Sequence, residues 1–146
     1  MRTVRTATMA DAEPVARLVS VLGYPTSSAQ MGTRLESILT DDEYATLVAL
    51  ESGQIVGFIG TRIGPLYESD GRYGQIMALA VDTAYQRRGI GRMLLDAAES
   101  LLIARGASVI VVTSGHQRAD AHAFYEKSGY TSTGRRFKKS VVESRA

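Results

Sequence analysis

The sequence IMALAVDTAYQRRGIGRMLLDAAESLLIARGASVIVV, residues 76–112, carries the strongest structural signal in the chain. It opens and closes with unbroken apolar runs, at 76–81 and 109–112. Such runs are typical of strands that are covered on both faces. Between them, apolar residues recur at the spacing of one helix face over 90–102, and Gly106 follows as a stop signal. Strand, helix and strand at this spacing predict a right-handed crossover between parallel strands.

Shorter elements are predicted on both sides of this crossover. They are a strand at 4–6, helices at 8–22 and from 27 or 28, strands at 46–50 and 55–63, a loop at 64–72, a helix at 119–127 and an edge strand at about 130–141. The last of these is placed at an edge because it is rich in Arg and Lys. The predicted fold class is α/β, with a mixed sheet, helices on its faces and one domain over 1–146.

Length and composition exclude several classes of protein. The chain has 146 residues, of which 45% are hydrophobic and 22% charged, as expected of one ordinary domain. It has no cysteine, which excludes a disulfide scaffold, a cysteine zinc site and a thiol nucleophile. No apolar run or leader predicts a membrane span or a signal peptide, which fits a reducing cytoplasm. The net charge of +2 predicts neither nucleic-acid nor membrane binding.

The segment 86–92, QRRGIGR, lies between a predicted buried strand and the start of the strongest helix. The first turn of a helix has unpaired N–H groups and a partial positive charge. Glycines allow the backbone to approach a ligand closely, and the three arginines add charge. This combination suits a phosphate or pyrophosphate that lies on the helix end.

Four interpretations of this segment compete. A Walker loop requires Gly-Lys-Ser/Thr at its end, which the segment lacks. The dinucleotide fingerprint requires a third glycine, where Leu94 stands. A Gln/Arg-x-x-Gly-x-Gly loop that holds the pyrophosphate of coenzyme A fits Gln86, Gly89 and Gly91. A plain turn with solvated arginines is the fourth.

A second segment, 121–130 (AHAFYEKSGY), lies on the helix that follows the next buried strand. With 79–81 (LAV) and 86–91, in this order and spacing, it resembles the GNAT superfamily of acyl-CoA-dependent N-acetyltransferases. The N-terminal strand, helix pair and hairpin also match, so the likeness covers nearly the whole chain. The resemblance implies a mostly antiparallel mixed sheet with helices on both faces. Its parallel strands, which hold Leu79 and Val112, would splay apart to admit the acyl donor.

The resemblance also implies roles for individual residues. The backbone of 79–81 would bond the pantetheine arm of acetyl-CoA like an added strand, and amides of 87–92 would hold the pyrophosphate. The residues expected to bind this cosubstrate are Leu79, Ala80, Val81, Gln86, Arg87, Arg88, Gly89, Ile90, Gly91 and Arg92. Tyr125 would lie near the thioester sulfur and protonate the departing thiolate. Phe124, beside it, could then enter the core. The alternative is that Tyr125 is itself a core residue with its hydroxyl at the surface.

The function that this resemblance implies is transfer of an acetyl group from acetyl-CoA to a primary amine of a small molecule or peptide. The amine would attack directly, and strand N–H groups would stabilise the tetrahedral intermediate. The two scattered histidines suggest no metal. A homodimer is compatible with the sequence, and no nucleic acid or membrane partner is expected. The alternative function is a non-catalytic acyl-CoA-binding sensor or interaction module.

The general base is where the chain departs from the family pattern. Many members place a glutamate on the central strands, whereas the corresponding residues here are Gln75, Met77 and Thr113. None of these side chains accepts a proton at pH 7. The alternatives that stay open are Glu68, Asp70, His116 and a water chain.

The acceptor site is expected from the first two helices and the loops, at about 22–34 and 64–74. These segments contain acids and aromatics that suit a cationic amine, namely Tyr24, Tyr67, Glu68, Asp70 and Tyr73.

Overall fold

The computed structural model describes residues 1–113, 119–134 and 137–142. The chain divides into two units, Met1–Ser114 and Gly115–Ala146. The described elements are β1 (Arg2–Thr6), α1 (Ala12–Val21), α2 (Ser28–Leu39), β2 (Tyr44–Glu51), β3 (Gln54–Pro65), β4 (Arg72–Val81), α3 (Ile90–Ala104) and β5 (Ala107–Val112) in the first unit, and α4 (Ala119–Lys127) in the second.

The sheet of the first unit has its strands in chain order, β1-β2-β3-β4-β5. The first four strands pair antiparallel, and β5 pairs parallel to β4. The connection between the parallel strands is α3, as predicted from the apolar spacing. The predicted mixed, mostly antiparallel sheet is therefore confirmed.

Helices α1 and α2 cover one face of the sheet. Ser27 begins α2 with a reciprocal cap, because its hydroxyl accepts from the Gln30 N–H at 3.1 Å and its own N–H donates to Gln30 Oε1 at 2.9 Å. The apolar stripes of the two helices meet sheet residues in one core, which includes Val15, Leu18, Met31, Leu35, Val48, Phe58 and Ala80. Full burial of each large apolar side chain contributes about 1.5–3 kcal/mol to folding.

Helix α3 covers the opposite face. Its buried residues are Ile90, Leu94, Leu95, Ala98 and Leu102. The predicted stripe contained all of these except Leu95, and its other members are partly buried. Two glycines let α3 approach closely, since a Cβ at Gly57 would lie 3.0 Å from Leu94 Cδ1 and one at Gly74 would lie 2.9 Å from Leu102 Cδ1. Helices on both faces are thus confirmed.

A β-bulge in β4 shifts the alternation of the strand by one residue. Residues after the bulge therefore lie on the opposite face of the sheet from the one that an unbroken strand would give them. Ile76 pairs with Thr61 and Ala78 with Gly60, so Met77 has no register partner on β3. Gly74 faces α3, whereas Ala78 packs in the α1–α2 core although both have even numbers. The pairing of β4 with β5 ends at Ile76, immediately before the bulge.

Two expectations about the end of the sheet are wrong. The described residues in 130–134 and 137–142 are not strand, so the predicted sixth strand is not formed by them. This segment lacks alternating apolar residues, and Gly134 has a φ of 138°. The expectation that both faces of β5 are covered also fails, because Val109 is 44% and Val111 41% exposed. An edge strand has fewer neighbours to cover it.

Asp11 is a buried carboxylate at the start of α1. It is 4% exposed and accepts hydrogen bonds from Arg5 Nη1 at 2.8 Å, Arg5 Nη2 at 3.0 Å and the Thr8 N–H at 2.8 Å. The hydrogen bonds from Arg5, and then that from Thr8, hold the pKa of Asp11 below its ordinary value despite burial. The charged form therefore stabilises the fold.

Asp11→Asn is expected to lower the free energy of unfolding at pH 7 by about 1.5–3 kcal/mol. Since the folded pKa is depressed, the contribution of Asp11 is complete above the unfolded value of about 3.9 and is lost as pH falls through the folded pKa. Urea unfolding at pH 7 and at steps down to pH 2 should show the free energies of unfolding of the parent and of Asp11→Asn converging. Glu13→Gln, at an exposed carboxylate, is the control and should change stability little. A gap that persists at pH 2 would contradict this account.

Candidate functional site

The parallel strands β4 and β5 part after a short ladder. Their last register pair is Ile76 with Val112, and the Thr113 N–H donates to the Ile76 carbonyl at 3.1 Å. Beyond this point, 79–81 pair with β3 on one side, and no other described residue pairs with them on the other. An open row of backbone donors and acceptors can bind an extended ligand as an added strand.

The chain turns from β4 into α3 through two left-handed residues. Arg87 has a φ of 64° and Gly89 a φ of 84°. Gln86 Nε2 donates to the Val81 carbonyl at 3.1 Å, which ties the turn to the end of β4. Gly89 is the N-cap of α3 and offers no side chain to the first-turn amides. None of the described side chains therefore caps the helix start, which suits an anion site.

A charged network on β1 and β2 supports this loop. Glu51 Oε1 accepts from Arg2 Nε at 2.7 Å, and Arg88 Nη1 lies 3.7 Å from Glu51 Oε2. Arg2 also donates to the Arg88 carbonyl. The hydrogen bond from Arg2 holds the pKa of Glu51 below its ordinary value. Arg2 and Glu51 could not be predicted from sequence, because their contact with the loop depends on strand pairing that residue spacing does not show.

The arginines of the loop have different surroundings. Arg88 lies over the Tyr85 ring at 5.2 Å in addition to its contact with Glu51. Arg92 Nε lies 3.0 Å from Asp96 Oδ1. Arg87 is exposed and has no ion-pair partner among the described side chains. Two left-handed residues, a helix start without a described side-chain cap and an arginine without a described ion-pair partner can together hold a phosphate or pyrophosphate group.

The described residues at the point where β4 and β5 part include the polar side chains of Gln75 and Thr113 but no carboxylate. Gln75 Nε2 donates to Thr113 Oγ1 at 2.8 Å, and Thr113 Oγ1 lies 3.5 Å from the Ile76 carbonyl. Met77, in the bulge, is 39% exposed. These three residues can position a water or an amine but cannot take its proton.

The candidate bases Glu68 and Asp70 lie at the end of the sheet where β4 and β5 begin, opposite the end at which β4 leads into α3. Pro65 pairs with Arg72, and Arg72 pairs with Ala107, so the loop 66–71 stands where β4 and β5 begin. The nine steps of β4 span about 30 Å, which separates this loop from the turn into α3. The structure does not bring Glu68 and Asp70 together with 86–92. His116 lies outside the described residues.

Tyr125 belongs to the second unit. Its ring packs edge-on against Phe124 at 5.2 Å and Tyr130 at 5.8 Å, and its carbonyl accepts from the Tyr130 N–H at 3.0 Å. Gly129, with a φ of 93°, lets the chain turn back after α4. Both Phe124 and Tyr125 are half-buried. The position of Tyr125 beside a thioester stays a prediction.

Two further features can be stated for the described residues. No three of their His, Asp or Glu side chains cluster closely enough to hold a metal ion. None of their helices has the length and hydropathy that crossing a bilayer requires.

Known proteins resemble this chain over most of its length. Residues 12–130 match the model of the Acetyltransferase (GNAT) family. The aminoalkylphosphonate N-acetyltransferase of Salmonella typhimurium is 30% identical over 70% of this chain and 67% of that protein. The crystal structure of a GNAT family acetyltransferase from Staphylococcus aureus superposes with a TM-score of 0.82 at 25% identity, over 96% of this chain and 98% of that one.

A shorter match has higher identity. The mycothiol acetyltransferase of Beutenbergia cavernae is 42% identical over 62 residues, or 42% of this chain. The chain spans only 21% of the length of that relative.

Proposed function

The chain belongs to the GNAT family of acetyltransferases, and we propose on that basis that it transfers an acetyl group from acetyl-CoA to a primary amine of a small molecule or peptide. The observation that carries this proposal is the open edge of β4, which runs directly into the uncapped start of α3. The Salmonella relative is named for an amine acceptor, which supports N-acetylation.

Separate parts of the chain would hold the cosubstrate. The backbone of Leu79, Ala80 and Val81 would bond the pantetheine arm along the open edge. Amides of 87–92 and the Arg87 guanidinium would hold the pyrophosphate, with Gln86 fixing the turn. When bound, acetyl-CoA supplies the acetyl group as an activated thioester. No metal is part of this proposal.

The chain's own groups then have three tasks. N–H groups at the open edge of β4 would polarise the carbonyl that accepts negative charge. Gln75 and Thr113, hydrogen-bonded to each other where the strands part, would orient the amine or a water beside it. Tyr125 would donate a proton to the leaving thiolate. Transfer is direct, since the sequence has no cysteine to carry the acyl group.

The amine must lose a proton, and we assign this step to water rather than to the loop carboxylates. Glu68→Gln and Asp70→Asn are expected to keep kcat/KM within about twofold of the parent and to leave its pH profile unchanged, because their loop precedes Arg72 at the start of β4, whereas β4 parts from β5 only after Ile76. His116→Ala completes the set. Any variant that loses more than about tenfold at pH 7, with the loss shrinking as free amine increases at higher pH, would identify that residue as the base instead.

The decisive experiment is thiol release from acetyl-CoA across a panel of amines, with calorimetry of acetyl-CoA binding beside it. Turnover with any amine, confirmed by mass spectrometry of the N-acetyl product, supports the proposal. The second candidate, an acyl-CoA-binding sensor, is favoured by the absence of a carboxylate at Gln75 and Thr113. Tight binding with no turnover across the panel would establish that alternative.

A further inference from the structure

Arg62 belongs to a row of polar side chains that crosses the sheet. It pairs with Tyr44 of β2 on one side and with Gln75 of β4 on the other. Directly opposed residues on neighbouring strands share a face of the sheet. Gln75 in turn donates to Thr113, where β4 and β5 part. Arg62 is therefore one strand away from the point where acyl transfer is proposed.

Most of the hydrogen-bonding capacity of Arg62 is unused. Its Nη2 donates to Glu43 Oε1 at 3.0 Å, and its guanidinium lies 5.7 Å from the centre of the Tyr44 ring. The Nε–H is closed off from solvent and has no acceptor among the described residues. A guanidinium has five N–H donors, and a buried donor without an acceptor is destabilising.

A purely structural role accounts poorly for this arrangement. The pair with Glu43 is 39% exposed on the arginine side and 42% on the glutamate side, and such pairs contribute little to stability. The hydrogen bond that Arg62 donates to Glu43, followed by the charge of Tyr73, raises the pKa of Arg62. The arginine therefore keeps its charge, and the end of its side chain reaches solvent.

The chain also makes room beside Arg62. On the face that carries Arg62, Gly64 pairs with Tyr73, and a Cβ at Gly64 would lie 3.0 Å from the Tyr73 hydroxyl. Glycine at this position lets the tyrosine lie flat on β3, next to the guanidinium. Tyr44, Arg62 and Tyr73 together form a rigid surface with a charged fork and a phenol as donors. We call these three residues the Arg62 cluster.

Resting on the proposed function, we propose that the Arg62 cluster binds an oxyanion on the acceptor, so that the substrates are primary amines that carry a carboxylate or phosphonate. Both groups present two acceptor oxygens in the spacing of the guanidinium fork. Exposed acids at the same end of the strands would attract the ammonium form of such an amine. They would disfavour an anion that has no ammonium group. These acids are Asp41 and Asp42.

The test uses amines of one chain length that end in carboxylate, phosphonate, methyl or ammonium. For the parent, kcat/KM should be about 10- to 100-fold higher for the oxyanion-bearing amines than for the methyl amine. Repeating the series with two to six carbons would locate the length that best spans Arg62 and the acyl carbon. The carboxylate and phosphonate arms show which oxyanion is preferred.

In Arg62→Gln, the ratio of kcat/KM for the oxyanion-bearing amines to kcat/KM for the methyl amine should fall to about one. Arg62→Lys should keep part of this difference, because lysine retains the charge but lacks the guanidinium fork. Arg105→Gln, at the residue that follows α3 and precedes β5, is the matched control and should keep the full ratio of kcat/KM values. An advantage that survives in Arg62→Gln, or a preference for the diamine, would overturn the inference while leaving acetyl transfer intact.

A binding measurement separates this inference from the proposed function. Calorimetry would follow a carboxylate amine titrated into protein saturated with free coenzyme A, where no transfer occurs. Binding that Arg62→Gln abolishes supports the oxyanion site even if no amine is acetylated, in which case the proposed function alone fails. Absence of binding by carboxylate and phosphonate amines overturns the inference, whatever the outcome of the thiol assay.

Discussion

Gly91→Asp is expected to weaken acetyl-CoA binding by about three orders of magnitude and to leave the protein folded. Gly91 is the second residue of α3, in the turn where the pyrophosphate is proposed to lie. A carboxylate about 4 Å from a phosphate charge costs about 4 kcal/mol at the effective dielectric of a protein surface. The same carboxylate favours the helix itself, because negative charge in a first turn is stabilising.

Gly91→Asn is the matched control for this prediction, since it has nearly the same volume without the charge. Its affinity for acetyl-CoA should lie between those of the parent and the aspartate variant. Raising the salt concentration should reduce the difference in affinity between the two variants, because salt screens the added charge. Calorimetry measures the affinities, and thermal unfolding checks the fold. Parental affinity in Gly91→Asp would show that the segment 86–92 is a plain turn into a helix.

Tyr125→Phe is expected to lower kcat by about 10²- to 10⁴-fold, the usual contribution of general acid catalysis. A free thiol has a pKa of about 8.5 and a phenol about 10, so the donation is uphill by about 2 kcal/mol, which a catalysed step tolerates. The ring and its packing against Phe124 and Tyr130 are kept. Acetyl-CoA affinity and thermal stability should therefore change little.

Tyr130→Phe provides the control, because it removes the same hydroxyl from the neighbouring ring of the same aromatic group. It should retain nearly parental kcat under conditions where chemistry limits the rate. If Tyr125→Phe also retains it, the hydroxyl has no role as an acid and Tyr125 is a packing residue. If both variants lose activity equally, the effect comes from the aromatic group as a whole.

The crossover could be predicted from sequence because its signals are local. The apolar spacing from Ile90 to Leu102 requires one helix face to be buried, and Gly106 has the positive φ, 96°, that its place after the helix predicts. The prediction of a sixth strand was wrong because its signal was weaker. A run of Arg and Lys is compatible with an edge strand but does not require one. The bulge at Met77 has no sequence signal, since an unbroken apolar run hides which face each residue occupies.

The candidate site could be predicted only in part. The glycines of 86–92 marked the loop, because few other residues tolerate its backbone. The support that Arg2 and Glu51 give it depends on three distant segments meeting, which spacing alone does not show. The importance of Arg62 was missed likewise, because its neighbours are set by strand register. Glu68 and Asp70 were candidates by residue type, and the pairing of Pro65 with Arg72 places their loop where β4 begins, away from the turn 86–92.

The bulge at Met77 marks a place where a shorter β4 is expected to make the fold more stable. The residues on either side of it, Ile76 and Ala78, already pair with consecutive residues of β3. Deleting Met77 would therefore leave every packed side chain of β4 on the face that it now occupies, and a regular strand could continue its ladder with β5. Such a shortened protein should be harder to unfold and less active, because closing the gap removes the open edge. Selection for stability alone would therefore favour a β4 without this residue.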